Sequence, residues 1–535
     1  MRSTPPLRTT PTGWRLLAGL LLVLVNGIQA ESATPASRPN IVFILADDLG
    51  YGDVGGLNPQ NKIRTPQLDR LIAQGMSFTE AHATAAVCTP SRYSILTGRY
   101  NWRSTLKQGV LGGFGKPLIE PGRMTVAELL KQHGYNTACF GKWHLGFDWP
   151  KKSAAATEPA TNEVARIDFT KSLGRGPTTL GFDYFFGISA SLDMPPYTFI
   201  ENDHVTALPT VPAGRLVGAD GKPTNVGPLA PGFDASAVLP TLTRKAVDYI
   251  GQQARADQAK QPFFLYLALP SPHTPIVPTT AWLGKSGLSV YADFVMQTDD
   301  CIGEILAALE KHSLAGNTLV VVTSDNGFAP MAGLPELLSK GHDPNAGRRG
   351  QKADIYDGGH HEPLIVRWPG RVAAGSKSDR LISLVDFMAT CADLLQVKLP
   401  ADAGEDSISF LPLLLGQTSA SLREVLVESS NNGSFAIREG QWKLALCPDS
   451  GGWSFPRPGS KEAAGLPRFQ LFDLQADPGE QTNVLSAHPE VAQRLGRLLR
   501  DYIRNGRSTP GPTQQNALAN AWPQTQWLEQ FAESK

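Results

Sequence analysis

The segment at residues 41–48, IVFILADD, combines the two features that decide the fold of this 535-residue chain. Its first five residues are apolar without interruption, which is typical of a strand that is covered on both faces. Two carboxylates, Asp47 and Asp48, follow at once. Similar apolar runs occur at residues 263–267, 319–322 and 364–366. The sequence therefore predicts a parallel or mixed sheet that lies between helices.

Helical signals separate these strands. Thr125 and Glu128 form a capping box for one helix, and the pair Thr65-Pro66 opens another. A longer helix is expected at residues 291–312, directly before a predicted strand. The order of elements indicates an α/β fold with helices on both sides of a large sheet.

The pattern changes after about residue 415, where short apolar segments alternate with Gly, Pro and Asp turns. These segments, at residues 435–438, 442–446 and 469–474, predict a small antiparallel sheet. A helix with one apolar face follows and should end at Asn505-Gly506. The predicted domains are a signal peptide at residues 1–30, an α/β domain at 31–415, a C-terminal α+β subdomain at 416–506 and a tail at 507–535.

The first thirty residues have the composition of a signal peptide. Three arginines precede the apolar run at residues 16–25, and residues 28–30 offer a cleavage site. The run is too short to cross a bilayer. We expect an exported protein, periplasmic or secreted, with no membrane anchor once the signal is removed. A single glycosylation sequon at Asn432 favours a bacterial over a lysosomal origin.

Charge and cysteine content exclude two classes of protein. Lys plus Arg and Asp plus Glu both number 49, so no net field favours nucleic acid as a partner. The five cysteines are widely scattered, which is not the pattern of a disulfide scaffold. Cys88 is the candidate for the unpaired one, because Thr89 as cap and Pro90 predict a helix start there, with its end at Gly98. A cysteine at that end lies beside backbone N–H groups that bind anions.

Oxygen-bearing side chains follow two of the strands at their carboxyl ends, where α/β sheets bind ligands. Three carboxylates and one amide are contributed by Asp47, Asp48, Asp325 and Asn326. An all-oxygen set suits a hard divalent cation, and ligation mainly by protein groups favours calcium over magnesium. Either pair taken alone is more typical of a turn after a strand.

Residues 88–99, CTPSRYSILTGR, closely resemble the signature of type I sulfatases, and residues 134–144, GYNTACFGKWH, resemble the second signature of that family. The resemblance extends from about Pro39 to about Leu485. It implies an alkaline-phosphatase-like fold and an arylsulfatase-type sulfuric ester hydrolase that binds Ca²⁺. The implied metal ligands are Asp47, Asp48, Asp325, Asn326 and the modified side chain at position 88.

In this family a maturation enzyme oxidises the cysteine of C-x-P-x-R to formylglycine, whose aldehyde hydrates to a geminal diol. The resemblance implies that Cys88 is this residue and that Arg92 orients it. One hydroxyl of the diol would attack sulfur, and the second would then expel sulfate and restore the aldehyde. A serine at this position could be sulfated but could not eliminate the sulfate.

The resemblance also implies roles for four further residues. Lys142 and Lys352 should bind sulfate oxygens and stabilise the transition state. His144 should contact the diol and assist elimination. His273, in a Pro-rich segment, is the predicted general acid for the leaving oxygen.

Two residues depart from the family pattern, and a separate segment bears on the substrate. The family usually has Glu-Gly-Gly followed by a basic residue two positions on, whereas Asp357 and His361 occupy these places. The segment at residues 189–204 resembles an insert of bacterial enzymes that act on sulfated glycans, and it makes Asp193 and His204 candidate substrate-binding residues. We expect a sulfated carbohydrate or an aryl sulfate as substrate.

Two alternatives remain. Related phosphodiesterases and phosphonate hydrolases share the fold. They generally lack the residues that correspond to Lys142, His144 and Lys352, and they favour transition metals. A non-catalytic glycan-binding relative should have lost at least one of the residues above, and all are present.

Overall fold

The computed structural model describes residues 38–152, 164, 166–255, 261–517 and 523–531. The predicted signal peptide lies outside the described residues. From Arg38 onward the chain forms one compact unit. Within the ranges given above, no helix combines the length and the apolar character that crossing a bilayer requires.

The strands, in chain order, are β1 Asn40–Asp47, β2 Met76–Phe78, β3 Ala81–His82, β4 Asn136–Lys142, β5 Tyr184–Ile188, β6 Ile200–Glu201, β7 His204–Val205, β8 Val211–Gly214, β9 Gly227–Leu229, β10 Phe263–Pro272, β11 Thr318–Ser324, β12 Leu364–Arg367, β13 Ser376–Ser378, β14 Ile382–Ser383, β15 Val425–Ser429, β16 Phe435–Glu439, β17 Trp442–Ala445 and β18 Gln470–Asp473.

The helices are α1 Pro66–Gln74, α2 Cys88–Thr97, α3 Val126–Gln132, α4 Val238–Gln253, α5 Val290–Lys311, α6 Leu334–Ser339, α7 Phe387–Leu394, α8 Leu411–Leu414 and α9 Pro489–Asn505. The sequence signals for two of these helix starts are confirmed. Thr65 is the N-cap of α1, with Pro66 in the first turn. The side chain of Thr125 accepts a hydrogen bond from the Glu128 N–H at the start of α3.

Ten strands form one mixed sheet in the order β13-β2-β12-β11-β1-β10-β4-β5-β6-β7. The five central strands from β11 to β5 run parallel to one another. Antiparallel strands extend the sheet on both sides, with β12 beside β11 and β6 beside β5. The structure thus confirms the predicted mixed α/β sheet.

Strand β1 shows why its apolar run is continuous. Val42 and Ile44 pack into a core with α1, α4 and α5, which lie on one side of the sheet. Ile41, Phe43 and Leu45 pack into a second core with α2, α3, α7 and α8. Every residue of β1 is buried because helices cover both faces.

The C-terminal region carries the second predicted sheet. Strands β15 to β18 form a four-stranded antiparallel sheet, of which the sequence patterns missed β15. Helix α9 packs on it through Leu495 and Leu499, and Trp527 of the tail joins the same core. The helix ends before Gly506, whose φ of 65° is the left-handed conformation that glycine favours. The boundary between residues 415 and 416 stays a prediction.

Candidate active site

The carboxyl ends of four adjacent parallel strands bring the predicted polar residues together. The strands are β11, β1, β10 and β4. The residues at their ends are Asp47, Asp48, Lys142, His144, His273, Asp325 and Asn326, all of them buried. The sheet order therefore collects in one place side chains that the sequence separates widely.

Asp48 occupies a strained turn directly after β1. Its φ of 66° lies in the left-handed region, which costs a residue other than glycine about 1–3 kcal/mol. The backbone N–H of Asp48 donates to Asp325 Oδ1 at 3.3 Å, and the hydroxyl oxygen of Tyr291 lies 3.4 Å from the Asp48 carbonyl oxygen. These contacts hold the turn that carries the two successive carboxylates.

Cys88 is the first residue of α2, and the residue is 2 % exposed. The Sγ atom lies 3.5 Å from Asp47 Oδ1 and 3.5 Å from Lys352 Nζ. The predicted cap at Thr89 is wrong, because the helix begins earlier, with Val87 as its N-cap. The hydroxyl of Thr89 instead accepts a hydrogen bond from the Leu111 N–H at 3.2 Å.

Two lysines each pair with one carboxylate of the acidic pair. Lys142 Nζ lies 2.9 and 2.7 Å from the two oxygens of Asp47. Lys352 Nζ lies 2.6 and 2.8 Å from the two oxygens of Asp48. Burial alone would raise the pKa of Asp47, but the positive charges around it, Lys142 above all, hold that pKa well below its usual value.

The guanidinium group of Arg92 links the ends of two strands of the site. Its Nε and Nη2 atoms lie 2.9 and 2.7 Å from Asp325 Oδ2. Its Nη1 donates to the carbonyl of Lys142 at 2.8 Å. A buried guanidinium bound in this way fixes the end of β4 relative to the end of β11. The predicted role of Arg92 in orienting the side chain at position 88 stays a prediction.

The two histidines differ in which ring nitrogen is hydrogen-bonded to a backbone carbonyl. The Nδ1 of His273 lies 2.5 Å from the Thr274 carbonyl, so Nε2 faces Asp48 Oδ2 at 3.5 Å. The Nε2 of His144 donates to the Leu111 carbonyl at 2.6 Å. Its buried Nδ1 has no hydrogen-bond partner in the described part of the chain. Burial and then the charge of Lys142 lower the pKa of His144 well below its usual value, so the ring is neutral.

The thiol of Cys88 is a poor nucleophile in this environment. Burial raises its pKa well above the usual value, although Lys142 and Lys352 act in the opposite direction. A thiol reacts mainly as the thiolate, which this raised pKa suppresses at neutral pH. The unmodified side chain is therefore ill suited to attack an ester.

The acidic residues at this edge of the sheet fit a divalent cation. Potential ligand atoms of Asp47, Asp48, Cys88 and His273 all lie within 4.8 Å of one another. The amide Nδ2 of Asn326 donates to Asp48 Oδ1 at 2.7 Å, whereas its buried Oδ1 has no partner among the described residues. A buried amide oxygen beside carboxylates is a group that a hard cation would satisfy.

Asp193 and His204 lie outside this cluster of contacts. Asp193 is in the loop after β5, where its carbonyl accepts hydrogen bonds from the Asn225 N–H and the Tyr197 hydroxyl, at 3.1 and 3.2 Å. His204 is in β7, the outermost strand of the sheet, with 60 % of its side chain exposed and Asp203 2.8 Å away. Their roles in substrate binding stay predictions.

The two residues that depart from the family pattern, Asp357 and His361, contact each other in the loop after Lys352. The shorter carboxylate of Asp357 lies 2.9 Å from Nδ1 of His361 and 3.2 Å from Nε of Arg348. Burial lowers the pKa of His361 to about 4, so Arg348 is the positively charged one of these two partners at neutral pH. These contacts anchor the far end of the loop that carries Lys352.

Sequence reasoning missed two buried residues that lie next to the predicted site residues. Asp53 accepts hydrogen bonds from the Tyr291 hydroxyl at 2.5 Å and from His342 Nε2 at 2.7 Å, which secures the loop after Asp48. Glu362 was also missed. It is fully buried, and burial followed by the negative charges of Asp325 and Asp48 raises its pKa well above the usual value. The signal available in the sequence was an acidic residue that directly follows His360-His361 and stands two residues before the apolar run of β12.

The sheet, its flanking helices and the position of this site define a hydrolase with an alkaline-phosphatase-like fold. Residues 39–397 match the family model described as Sulfatase, and residues 351–444 match that of the N-sulphoglucosamine sulphohydrolase C-terminal region. The chain belongs to the sulfatase family and is a sulfuric ester hydrolase, as the sequence motifs predict.

Similar proteins support this assignment. The N-acetylgalactosamine-6-O-sulfatase of Bacteroides thetaiotaomicron is 35 % identical over 90 % of this chain and 97 % of its own length. Arylsulfatase A of Bos taurus is 33 % identical over 88 % of this chain and 87 % of its own length. A solved sulfatase structure from work on glycosaminoglycan metabolism by B. thetaiotaomicron superposes with a TM-score of 0.75 at 34 % identity, and covers 87 % of this chain and 99 % of that one.

Proposed function

We propose that this sulfatase removes sulfate from a sulfated carbohydrate by means of a formylglycine formed from Cys88. The position of Cys88 carries the proposal, since its Sγ lies 3.5 Å from both a carboxylate of the acidic pair and the ammonium of Lys352. The proposed ligands of one calcium ion are Asp47, Asp48, Asp325 and Asn326, together with the modified side chain. Bound Ca²⁺ would supply positive charge that favours ionisation of the attacking hydroxyl and neutralises sulfate oxygens.

Conversion of Cys88 would replace a poorly ionised thiol by a hydrated aldehyde with two hydroxyl groups on one carbon. One hydroxyl passes its proton to the carboxylate of Asp47, whose Oδ1 lies 3.5 Å from Sγ of the unmodified side chain, and attacks sulfur as the bond between sulfur and the sugar oxygen breaks. Lys142 and Lys352 are placed to bind the sulfate oxygens as negative charge shifts during this step. The sugar oxygen leaves with a proton.

Two histidines suit the other two proton transfers. His273 is held through Nδ1 and presents Nε2 to the site, which suits donation of a proton to the leaving oxygen. His144 keeps Nδ1 unprotonated, because Nε2 carries the proton that the Leu111 carbonyl accepts. It is therefore suited to accept the proton of the second hydroxyl. The bond between carbon and the sulfate oxygen then breaks, sulfate leaves and the aldehyde is restored.

The relatives suggest which sulfate ester to test first. Proteins named for N-acetylgalactosamine 6-sulfate occur both in B. thetaiotaomicron, at 35 % identity, and in Mus musculus, at 30 % identity over 94 % of this chain. We therefore propose a 6-O-sulfated N-acetylgalactosamine residue as the preferred substrate. The predicted signal peptide supports action outside the cytoplasm.

The test is release of sulfate from defined saccharides by protein that is produced together with a maturation enzyme. The panel compares N-acetylgalactosamine 6-sulfate, its 4-sulfate and N-acetylglucosamine 6-sulfate, with nitrophenyl sulfate as a general substrate. Peptide mass spectrometry establishes whether position 88 carries formylglycine. Cys88→Ser should release no sulfate, whereas Cys391→Ser, at another buried free cysteine, should behave as wild type.

Two outcomes would contradict the proposal separately. Full activity with an unmodified thiol at position 88 would refute the mechanism. Failure of formylglycine-bearing protein to release sulfate from any of the saccharides, with nitrophenyl sulfate still cleaved, would refute the carbohydrate substrate.

A further inference from the structure

Glu362 is a buried carboxyl group beside the proposed calcium ligands. It lies two residues before Leu364, which pairs with Thr323 in the antiparallel register of β12 and β11. Asp325 follows Thr323 by two residues, so Asp325 and Glu362 each lie two residues beyond the last pair of this ladder, at the same end of it. Glu362 therefore lies at the edge of the sheet that carries the Asp325 carboxylate.

The position of Glu362 is fixed, yet its carboxyl group is unsatisfied. Its backbone N–H donates to the Ala81 carbonyl at 2.9 Å, and the residue is 0 % exposed. Both carboxyl oxygens lack a hydrogen-bond partner among the residues that the structure describes. A buried carboxyl group without a partner is costly, and folded proteins normally pair such groups.

The proposed calcium ligands differ from Glu362 in this respect. Each of their three carboxylates pairs with its own basic side chain, contributed by Lys142, Lys352 and Arg92. Three negative and three positive side chains already balance one another. A divalent cation would add two positive charges to this buried, balanced set, and so would favour a further negative charge close by.

The surroundings of Glu362 match that requirement. The charges of Asp325, Asp48 and Asp357 all repel an ionised carboxylate at this position. Two of these three are proposed calcium ligands. A cation held by these ligands would offset the repulsion, because its charge would also attract the Glu362 carboxylate.

We propose that Glu362 is a positioning residue of the calcium site, which stabilises the bound ion by its negative charge. The inference rests on the proposed function, because it requires that the family's cation binds here. Glu362 need not touch the sulfate ester.

Glu362→Gln tests the inference, since it removes the charge and keeps the size. Calcium binding to metal-stripped protein is measured by isothermal titration calorimetry, and Tm is measured with and without Ca²⁺. We expect one bound ion in both proteins and an affinity about 10–100-fold weaker in the variant, as for other groups just outside a metal's ligands. The metal-free variant should be about as stable as wild type, because one buried polar group without a partner replaces another, while its rise in Tm on adding Ca²⁺ should be smaller.

Glu405→Gln is the matched control. Glu405 is equally buried but pairs with Arg99 and Arg123, at 3.3 and 3.0 Å. Its loss should lower Tm with and without Ca²⁺ alike and leave calcium affinity unchanged. If Glu362→Gln fails to fold, Glu362→Met removes the charge without leaving an unpaired amide.

The outcomes separate the two proposals. Wild-type calcium affinity in the Glu362 variant would overturn this inference and leave the proposed function intact. An equal fall in Tm with and without Ca²⁺ would show a purely structural role and overturn it too. Absence of calcium binding by the wild-type protein would contradict the proposed calcium site, and with it this inference.

Discussion

Lys352 Nζ lies 3.5 Å from Cys88 Sγ, although 264 positions separate the two residues in the chain. A backbone hydrogen bond brings their segments together, because the N–H of Ala353 donates to the carbonyl of Ala86 at 2.7 Å. The lysine is thereby held next to the first turn of α2. Its charge faces both the residue proposed to become the nucleophile and the carboxylate of Asp48.

Lys352→Ala should lower kcat by about 10²–10³-fold, the usual cost of removing one group that stabilises developing negative charge. Steady-state kinetics on nitrophenyl sulfate give the measurement. Lys340→Ala is the control, because the Lys340 side chain is 42 % exposed and pairs with Glu336, four residues earlier in the chain. A fall in kcat of less than tenfold would show that Lys352 does not stabilise the transition state.

Asp325→Ala should abolish calcium binding and activity together. It would also leave the buried guanidinium of Arg92 without its carboxylate, which typically costs about 3–5 kcal/mol. Metal content, Tm and sulfate release are measured on the same preparation. A fully active enzyme that remains free of metal after exhaustive chelation would argue against the calcium site.

His273→Ala should harm the enzyme most when the leaving oxygen is a poor leaving group. General acid catalysis is typically worth about 10²–10⁴-fold. We expect a loss of that size on a sulfated saccharide and a much smaller one on nitrophenyl sulfate, provided that cleavage of the ester limits both rates. Equal losses on the two substrates would assign the acid elsewhere, with Lys142 as the first candidate.

His144→Ala should impair release of sulfate from the enzyme and therefore slow both substrates alike. The variant should still cleave the ester once, so a burst of nitrophenol should precede the slow phase. Intact-protein mass spectrometry should then detect sulfated enzyme. Lack of a burst and of the sulfated species would place His144 in the first step instead.

Asp406→Asn should destabilise the protein at neutral pH and much less in acid. Asp406 is buried and lies 2.8 Å from Arg103. Burial acts to raise the pKa of Asp406, but Arg103 outweighs it and the pKa falls below the usual value. A lowered pKa in the folded state means that the stabilisation is complete above the unfolded value of about 3.9 and is lost as pH falls through the folded value.

Urea unfolding of the Asp406 variant and the wild type at pH 7 and at about pH 3 measures this effect. Asp379→Asn is the control, since the Asp379 side chain is 76 % exposed and should change stability little at either pH. A difference between Asp406→Asn and wild type that does not shrink in acid would contradict the prediction.

Local patterns in the sequence determined the main elements. The continuous apolar run at the start of β1 predicted burial on both faces, and the helix expected at residues 291–312 is α5, Val290–Lys311. These predictions succeed because apolar periodicity and end signals reflect backbone geometry within a few residues. Weak local signals fail for the same reason. The cap at Thr89 was wrong because a loop more than twenty residues away binds its hydroxyl.

The sequence by itself determined which residue types stand at the strand ends, and its two motifs led to the sulfatase family. Only the tertiary structure decided which acid pairs with which base. Lys142 faces Asp47, whereas Lys352 faces Asp48 and Arg92 faces Asp325. It also left Glu362 buried without a partner. Pairing depends on distances across the sheet, and these are set by strand order and register, which connect residues hundreds of positions apart.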